Sequence, residues 1–169
     1  MFQSYYSLLL LALKARIQQS VPEILLVEQD WSQLENYDTQ PAVSWPCVLI
    51  DFITSDFGSE SELVQWGNVT IQLRLAFPPV TAPDTVGGQA LACYEIEAKL
   101  YKALQGWQPE DQDGNSIGQE LTRLQVTTEQ GREDDIRVRT LLFTTGFEDA
   151  SASPVYTIES PDFDPTYYE

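Results

Sequence analysis

The stretch WGNVTIQLRLAF, residues 66–77, alternates apolar and polar side chains with a regular period of two. Successive side chains of an extended strand point to opposite faces of a sheet, so this period predicts a strand with one buried face. The residues expected on the buried face are Val69, Ile71, Leu73, Leu75 and Phe77. Pro78 and Pro79 follow, and prolines end a strand because they lack an amide donor. The fold is therefore expected to be organised around a sheet that contains this strand.

On the amino-terminal side, the run CVLIDFI at residues 47–53 is almost continuously apolar. Such a run predicts a central strand that is covered on both faces. The following residues, 54–63, are rich in Ser, Gly, Asp and Glu, which predicts a loop. Residues 24–27 (ILLV) predict a further short strand, followed by a loop that reaches Leu34.

Two segments show helical spacing of apolar residues, at 2–20 and 89–105. Ser4 is a candidate cap for the first, and Pro22 follows its end. Its apolar surface is broad, which favours contact with both a sheet and another subunit. At the end of the second helix, Gly106 suits a left-handed turn, and Trp107 can fold back onto the last helical turn.

Residues 121–128 and 136–147 predict two more strands, which a charged, Gly-containing hairpin turn at 129–135 connects. The resulting fold class is α+β: a mixed, mainly antiparallel sheet of four to five strands with two helices packed on it. Residues 1–149 are expected to form a single domain.

Residues 150–169 form an acidic segment that contains several aromatic residues and has no helical or strand period. No Lys or Arg follows Arg139. One interpretation is an unstructured acidic tail, and the other is an extended arm whose rings dock onto a neighbouring protein. The rings concerned are Tyr156, Phe163, Tyr167 and Tyr168.

The chain carries 26 acidic and 9 basic residues, a formal net charge of -17. This charge repels nucleic-acid phosphates and anionic lipids, so neither sequence-specific nucleic-acid binding nor membrane binding is expected. It can serve solubility alone, or provide a negative surface or lumen that faces a partner. The apolar run Leu8–Leu13 is far shorter than the roughly 20 residues that span a bilayer, and nothing resembles a secretory signal. We expect a cytoplasmic protein whose two cysteines, Cys47 and Cys93, are reduced and buried.

The chain has no histidine, and its two cysteines are far apart in sequence. It therefore lacks the commonest general base and any Cys/His metal pattern, and it has no phosphate-binding loop or nucleophile elbow. We expect neither an enzyme nor a cofactor. Residues 111–115 (DQDGN) resemble the start of a calcium loop, but Ser116 and Thr122 stand where Gly and Glu are required. Asp51 lies inside an apolar strand, where an ion pair with Arg74, Arg137 or Arg139 is expected.

Four segments resemble the phage tail terminator, or tail completion (minor tail), family of small virion proteins. They are LLALKARI at Leu10–Ile17, WPCVLI at Trp45–Ile50, GNVTIQLRL at Gly67–Leu75 and LYKALQGW at Leu100–Trp107. The resemblance implies a non-enzymatic subunit of a ring, commonly a hexamer, that caps the tail tube and contacts head or neck proteins. Such a protein is made in the cytoplasm and resides in the virion tail. The segment after Glu148 and the Asp-rich loop after Trp107 have no counterpart in the family pattern.

The predicted interface combines large rings with the apolar first helix. Its residues are Tyr5, Tyr6, Leu9, Trp66, Trp107, Tyr156, Phe163, Tyr167 and Tyr168. The alternative function is a small-molecule or peptide-binding module. Its pocket would place carboxylates beside Trp31, Trp45, Trp66 or Trp107.

Overall fold

The computed structural model describes residues 4–35, 43–79, 86–130 and 132–153, which contain two helices and five strands. The elements in chain order are α1 (Tyr5–Ser20), β1 (Leu26–Gln29), a short 3-10 helix (Gln33–Glu35), β2 (Cys47–Ser59), β3 (Gln65–Phe77), α2 (Val86–Leu104), β4 (Thr122–Thr128) and β5 (Arg137–Asp149). The predicted α+β class is confirmed. Residues 154–169, which hold most of the predicted arm, lie outside the described residues.

The five strands form one mixed sheet in the order β1-β2-β3-β5-β4. β1 pairs with β2 in parallel, and the other three pairs are antiparallel. β2, β3 and β5 are each 13 residues long, and they make a long ribbon with β3 in the centre.

The alternation predicted for β3 is confirmed, because Val69, Ile71, Leu73 and Leu75 are fully buried and Phe77 nearly so. Both helices cover this face of the sheet. The main core joins Leu9, Leu13 and Ile17 of α1 to Leu100 and Leu104 of α2 and to the inner residues of the strands.

A smaller apolar cluster covers one end of the opposite face. Its buried members are Leu34, Cys47, Leu49, Ala76, Ile136 and Val138. Residues 47–50 are therefore buried on both faces, as their composition predicts.

The prediction that residues 54–63 form a loop was wrong for residues 54–59, and only 60–63 lie outside a strand. β2 runs on to Ser59, and its polar residues pair with residues 65–70 of β3 beyond a bulge between Phe52 and Thr54. A tight turn follows, in which the amides of Glu60 and Ser61 both donate to the carbonyl oxygen of Val64 at 3.1 Å. The pairing partner, rather than the composition of the segment, makes it a strand.

α2 ends as predicted. Gly106 has a φ of 72°, a left-handed conformation that glycine adopts without steric cost. The amide of Trp107 donates to the carbonyl oxygen of Leu104 at 3.1 Å, and its ring packs against the main core.

Arg74 is the centre of an ion-pair network on the face opposite the helices, where it is 9% exposed. Its guanidinium contacts Asp30 at 3.1 Å, Glu35 at 2.8 Å and Glu129 at 2.8 Å. Arg132 also contacts Glu129, at 3.2 Å. The network ties the segment after β1 and the β4–β5 connection to the central strand.

Among the described residues Asp51 joins no ion pair, so that prediction was wrong. One of its carboxylate oxygens accepts a hydrogen bond from Nε2 of Gln29 at 3.1 Å. The three expected partners are engaged elsewhere: Arg74 in its network, Arg139 with Glu97, and Arg137 with the Tyr94 hydroxyl.

Replacing Arg74 tests the network. Burial raises the pKa of Glu35 and Glu129, but hydrogen bonds and charge from Arg74 outweigh it, so both pKa values lie below their usual range. This stabilisation is present above the unfolded pKa, about 4.3 for Glu, and is lost as pH falls through the folded pKa. We expect Arg74→Met to lower the free energy of unfolding at pH 7 by about 3 kcal/mol, and to weaken the further loss on acidification.

Urea titrations at pH 7 and pH 4 measure both effects. The control is Lys99→Met, which removes the exposed pair with Glu23 and should change stability little. Equal effects of the two substitutions would contradict a stabilising role for the network.

Candidate interaction surface

Tyr5 and Tyr6 attach the amino end of α1 to the sheet. The Tyr5 ring stacks on Phe147 with 3.4 Å between centroids and 8° between planes. The Tyr6 hydroxyl donates to Oγ of Ser55 at 2.7 Å, and its ring lies 5.4 Å from that of Phe52. Burial raises the pKa of the Tyr5 phenol above its usual value. Both rings have a packing role within the subunit, and only their partly exposed portions remain for a neighbour.

Leu9 has no exposed surface and lies in the main core. It cannot contact a partner directly in this fold. α1 does keep an apolar outer side, at Leu11 and Ala15, which are exposed. Most of the apolar side chains of this helix therefore pack against the sheet.

Trp66 lies on the sheet face opposite the helices and is half-buried. Its indole covers Gly146 so closely that a Cβ added there would lie 2.6 Å from Cζ2 of the ring. Glycine at this position lets the indole lie against β5. Trp107 is also half-buried, and the Arg16 guanidinium lies 5.6 Å from its ring centroid.

The other predicted interface residues, Tyr156, Phe163, Tyr167 and Tyr168, lie outside the described residues. The last described residues lie beside the β2–β3 turn, where Oγ of Ser153 donates to the carbonyl oxygen of Leu63 at 3.3 Å.

Sequence reasoning missed most of the exposed apolar side chains. Leu25 and Trp31 flank the edge strand β1, and Trp31 is 79% exposed. The others are Leu11 on α1, Ile53, Phe57 and Leu63 on the β2–β3 hairpin, Leu91 and Tyr94 on α2, and Leu124 on β4. The available signal was a single large apolar residue between polar turn residues, as in Asp30-Trp31-Ser32.

The described residues do not bring the four tryptophans into one pocket. Trp45 packs in the smaller cluster and Trp107 against the main core, on opposite faces of the sheet. Trp66 lies ten residues along β3 from Ala76 of the smaller cluster, roughly 33 Å away. A cleft of about 540 Å³ between the helices is lined by Ser20, Pro22, Glu23, Lys99, Lys102 and Ala103, with no aromatic residue.

The two cysteines are free and buried, as predicted. Cys47 belongs to the smaller cluster and Cys93 to the main core, so they lie on opposite faces of the sheet. Burial raises the pKa of the Cys47 thiol to about 12. This thiol therefore remains protonated at neutral pH.

The 111–115 loop forms a turn. One carboxylate oxygen of Asp111 accepts hydrogen bonds from the backbone amides of Asp113 at 2.9 Å and Asn115 at 2.8 Å. Across the described ranges, no group of three or more His, Cys, Asp or Glu side chains is placed to hold a metal ion. None of the described helices is long and apolar enough to span a membrane.

No family model matches the sequence, and no curated protein sequence matches it. The fold is similar to that of a chain in a solved structure described as the virion of a native gene transfer agent particle. The TM-score is 0.55 at 12% sequence identity, and the match covers 88% of this chain and 100% of the other. At that identity the similarity establishes a shared fold.

Gly146→Ala tests the position of Trp66. The added methyl group must displace the indole, so we expect a loss of about 1–3 kcal/mol in stability and a shifted indole N–H resonance. Thermal melts and proton NMR measure these effects, with Trp66→Phe to assign the resonance. Gly88→Ala is the control, because a Cβ there on α2 meets no atom within 4 Å and alanine favours a helix. An unchanged melt and resonance in Gly146→Ala would contradict this packing.

Proposed function

We propose that the chain is a structural subunit of a phage or phage-like particle. In this proposal six copies, the number that the family resemblance implies, form a ring that terminates the tail tube and contacts head or neck proteins. The observation that carries the proposal is the fold shared with a virion chain over that chain's whole length. The family resemblance of the sequence supports the narrower role in the tail. The proposed role is assembly and requires no catalysis.

Two open sheet edges support self-association. Among the described residues, the outer edges of β1 and β4 pair with no other strand. Unpaired edge amides and carbonyls are a ready template for another strand. β1 is parallel to β2, and β4 is antiparallel to both β1 and β2. β4 of one copy placed beside β1 of the next would therefore form an antiparallel pair.

This contact joins two different surfaces of the subunit. Heterologous contacts of that kind generate a ring when the rotation closes. Exposed apolar residues accompany both edges, Leu25 and Trp31 at β1 and Leu124 at β4. β4 contains no acidic residue, so the acidic Glu28 of β1 would meet no like charge there.

The strongly negative charge supports a location along the DNA path. A surface with a formal net charge of -17 repels phosphates, so DNA can pass a ring of such subunits without adhering. The same charge opposes assembly at low ionic strength, where screening is weak.

Light scattering at moderate salt, over a concentration series and with tail-tube protein added, tests the proposal. We expect a species of about 115 kDa, six times the 19.1 kDa chain. A monomer under all of these conditions would contradict a ring subunit.

Charged substitutions at the edges test how the ring forms. Leu25→Lys and Leu124→Lys each block one edge at an exposed side chain, so each variant alone should fail to form rings. An equal mixture should yield heterodimers, because one intact edge of each variant remains to make a single contact. Native mass spectrometry distinguishes these species.

Leu91→Lys is the matched control, because Leu91 is 69% exposed on α2 and lies on neither edge. It should assemble as the wild type does. Rings formed by either edge variant, or by their mixture, would contradict edge-to-edge assembly.

A further inference from the structure

One end of the ribbon formed by β2, β3 and β5 carries no Lys or Arg. The sequence has no Lys or Arg between Arg16 and Arg74, and none after Arg139. The fold brings these ranges together, because residues 54–59 of β2 pair with 65–70 of β3, which pair in turn with 144–149 of β5. Arg123 of β4 pairs with Phe143, just outside this end of the ribbon. The absence of cations in two distant stretches of sequence thus becomes a property of both faces of one end of this ribbon.

This end of the ribbon, which we call the hairpin tip, carries four exposed acids and three exposed apolar residues, distributed over both faces. The acids are Asp56, Glu60, Glu62 and Glu148. The apolar residues are Ile53, Phe57 and Leu63, which are between 43% and 47% exposed. The β2 bulge lies at Ile53, between Phe52 and Thr54. Exposed apolar residues beside charged ones are typical of protein-binding surfaces.

Eight of the nine Lys and Arg side chains are engaged away from the hairpin tip, and the ninth, Lys102, lines the cleft between the helices. Five of them form ion pairs, namely Lys14, Arg74, Lys99, Arg132 and Arg139. Arg16, Arg123 and Arg137 lie over aromatic rings. A second copy therefore offers little free positive charge to the tip, and a DNA surface would be repelled.

We propose that the hairpin tip docks onto a Lys- and Arg-rich surface of a different protein of the particle. The inference rests on the proposed function for the nature of that partner. Charge complementarity speeds encounter and selects the partner, and the apolar residues provide area to be buried once contact is made. The tip surface is distinct from the two sheet edges, so docking and ring formation use separate parts of the subunit.

Two variants of equal charge test the proposal. The tip variant carries Asp56→Asn, Glu60→Gln, Glu62→Gln and Glu148→Gln. The control carries Glu95→Gln, Asp113→Asn, Glu120→Gln and Glu133→Gln, all at exposed positions. Each removes four negative charges and changes the formal net charge from -17 to -13. Each variant is produced in cells that lack the wild-type gene, and its amount in purified particles is measured.

We expect the tip variant to be reduced in particles at least about ten-fold, and the control to stay within about two-fold of the wild type. Thermal melts and light scattering should be the same for the two variants, which separates docking from folding and ring formation. Equal incorporation of both variants, or equal loss of both, would overturn the proposal.

A photo-crosslinker in place of Leu63 identifies what the tip contacts in the assembled particle. The expected crosslink joins a different protein within a peptide of net positive charge. A crosslink to a second copy of this chain, or to a peptide without excess Lys and Arg, would overturn the proposal. Absence of the wild-type protein from particles would overturn the proposed function, and this inference with it. Its presence alongside normal incorporation of the tip variant would overturn the inference alone.

Discussion

The central strand β3 has to satisfy two different environments at once. Its inward residues, from Val69 to Phe77, are buried under both helices and supply the middle of the main core. On its other face, Ala76 belongs to the smaller cluster and Arg74 to the ion-pair network. The remaining side chains on that face are polar as far as Trp66. A shift of one residue in its pairing would exchange these two sets, so the regular alternation fixes the register of the whole sheet.

The pattern of β3 and the Gly106 turn could be predicted because both depend on local rules, the two-residue period and the left-handed conformation. The extension of β2 to Ser59 could not, because polar residues 54–59 form a strand only through pairing with β3. The partner of Asp51 was missed for a similar reason. Which side chain reaches it depends on the parallel alignment of β1 with β2, and that alignment places Gln29 nearby.

The exposed surface was harder to predict than the fold. A large ring near the start of a helix has the same sequence pattern whether it packs within the subunit or against a neighbour, and Tyr5 and Tyr6 do the former. Leu9 illustrates the same ambiguity for an apolar helix face. The exposed residues that distinguish the surface, such as Trp31 and Leu63, stand alone among polar neighbours, where composition gives only a weak signal.

The distribution of charge links the fold to the proposed assembly. Arginines lie mainly within ion pairs and against rings inside the subunit, so the outer surface is left strongly acidic. The measurement that tests the central claim most directly is localisation of the tagged protein in purified particles by cryo-electron microscopy. The account predicts one ring of this chain at the head-proximal end of the tail. Particles that lack the chain, or that carry it elsewhere without a ring, would contradict it.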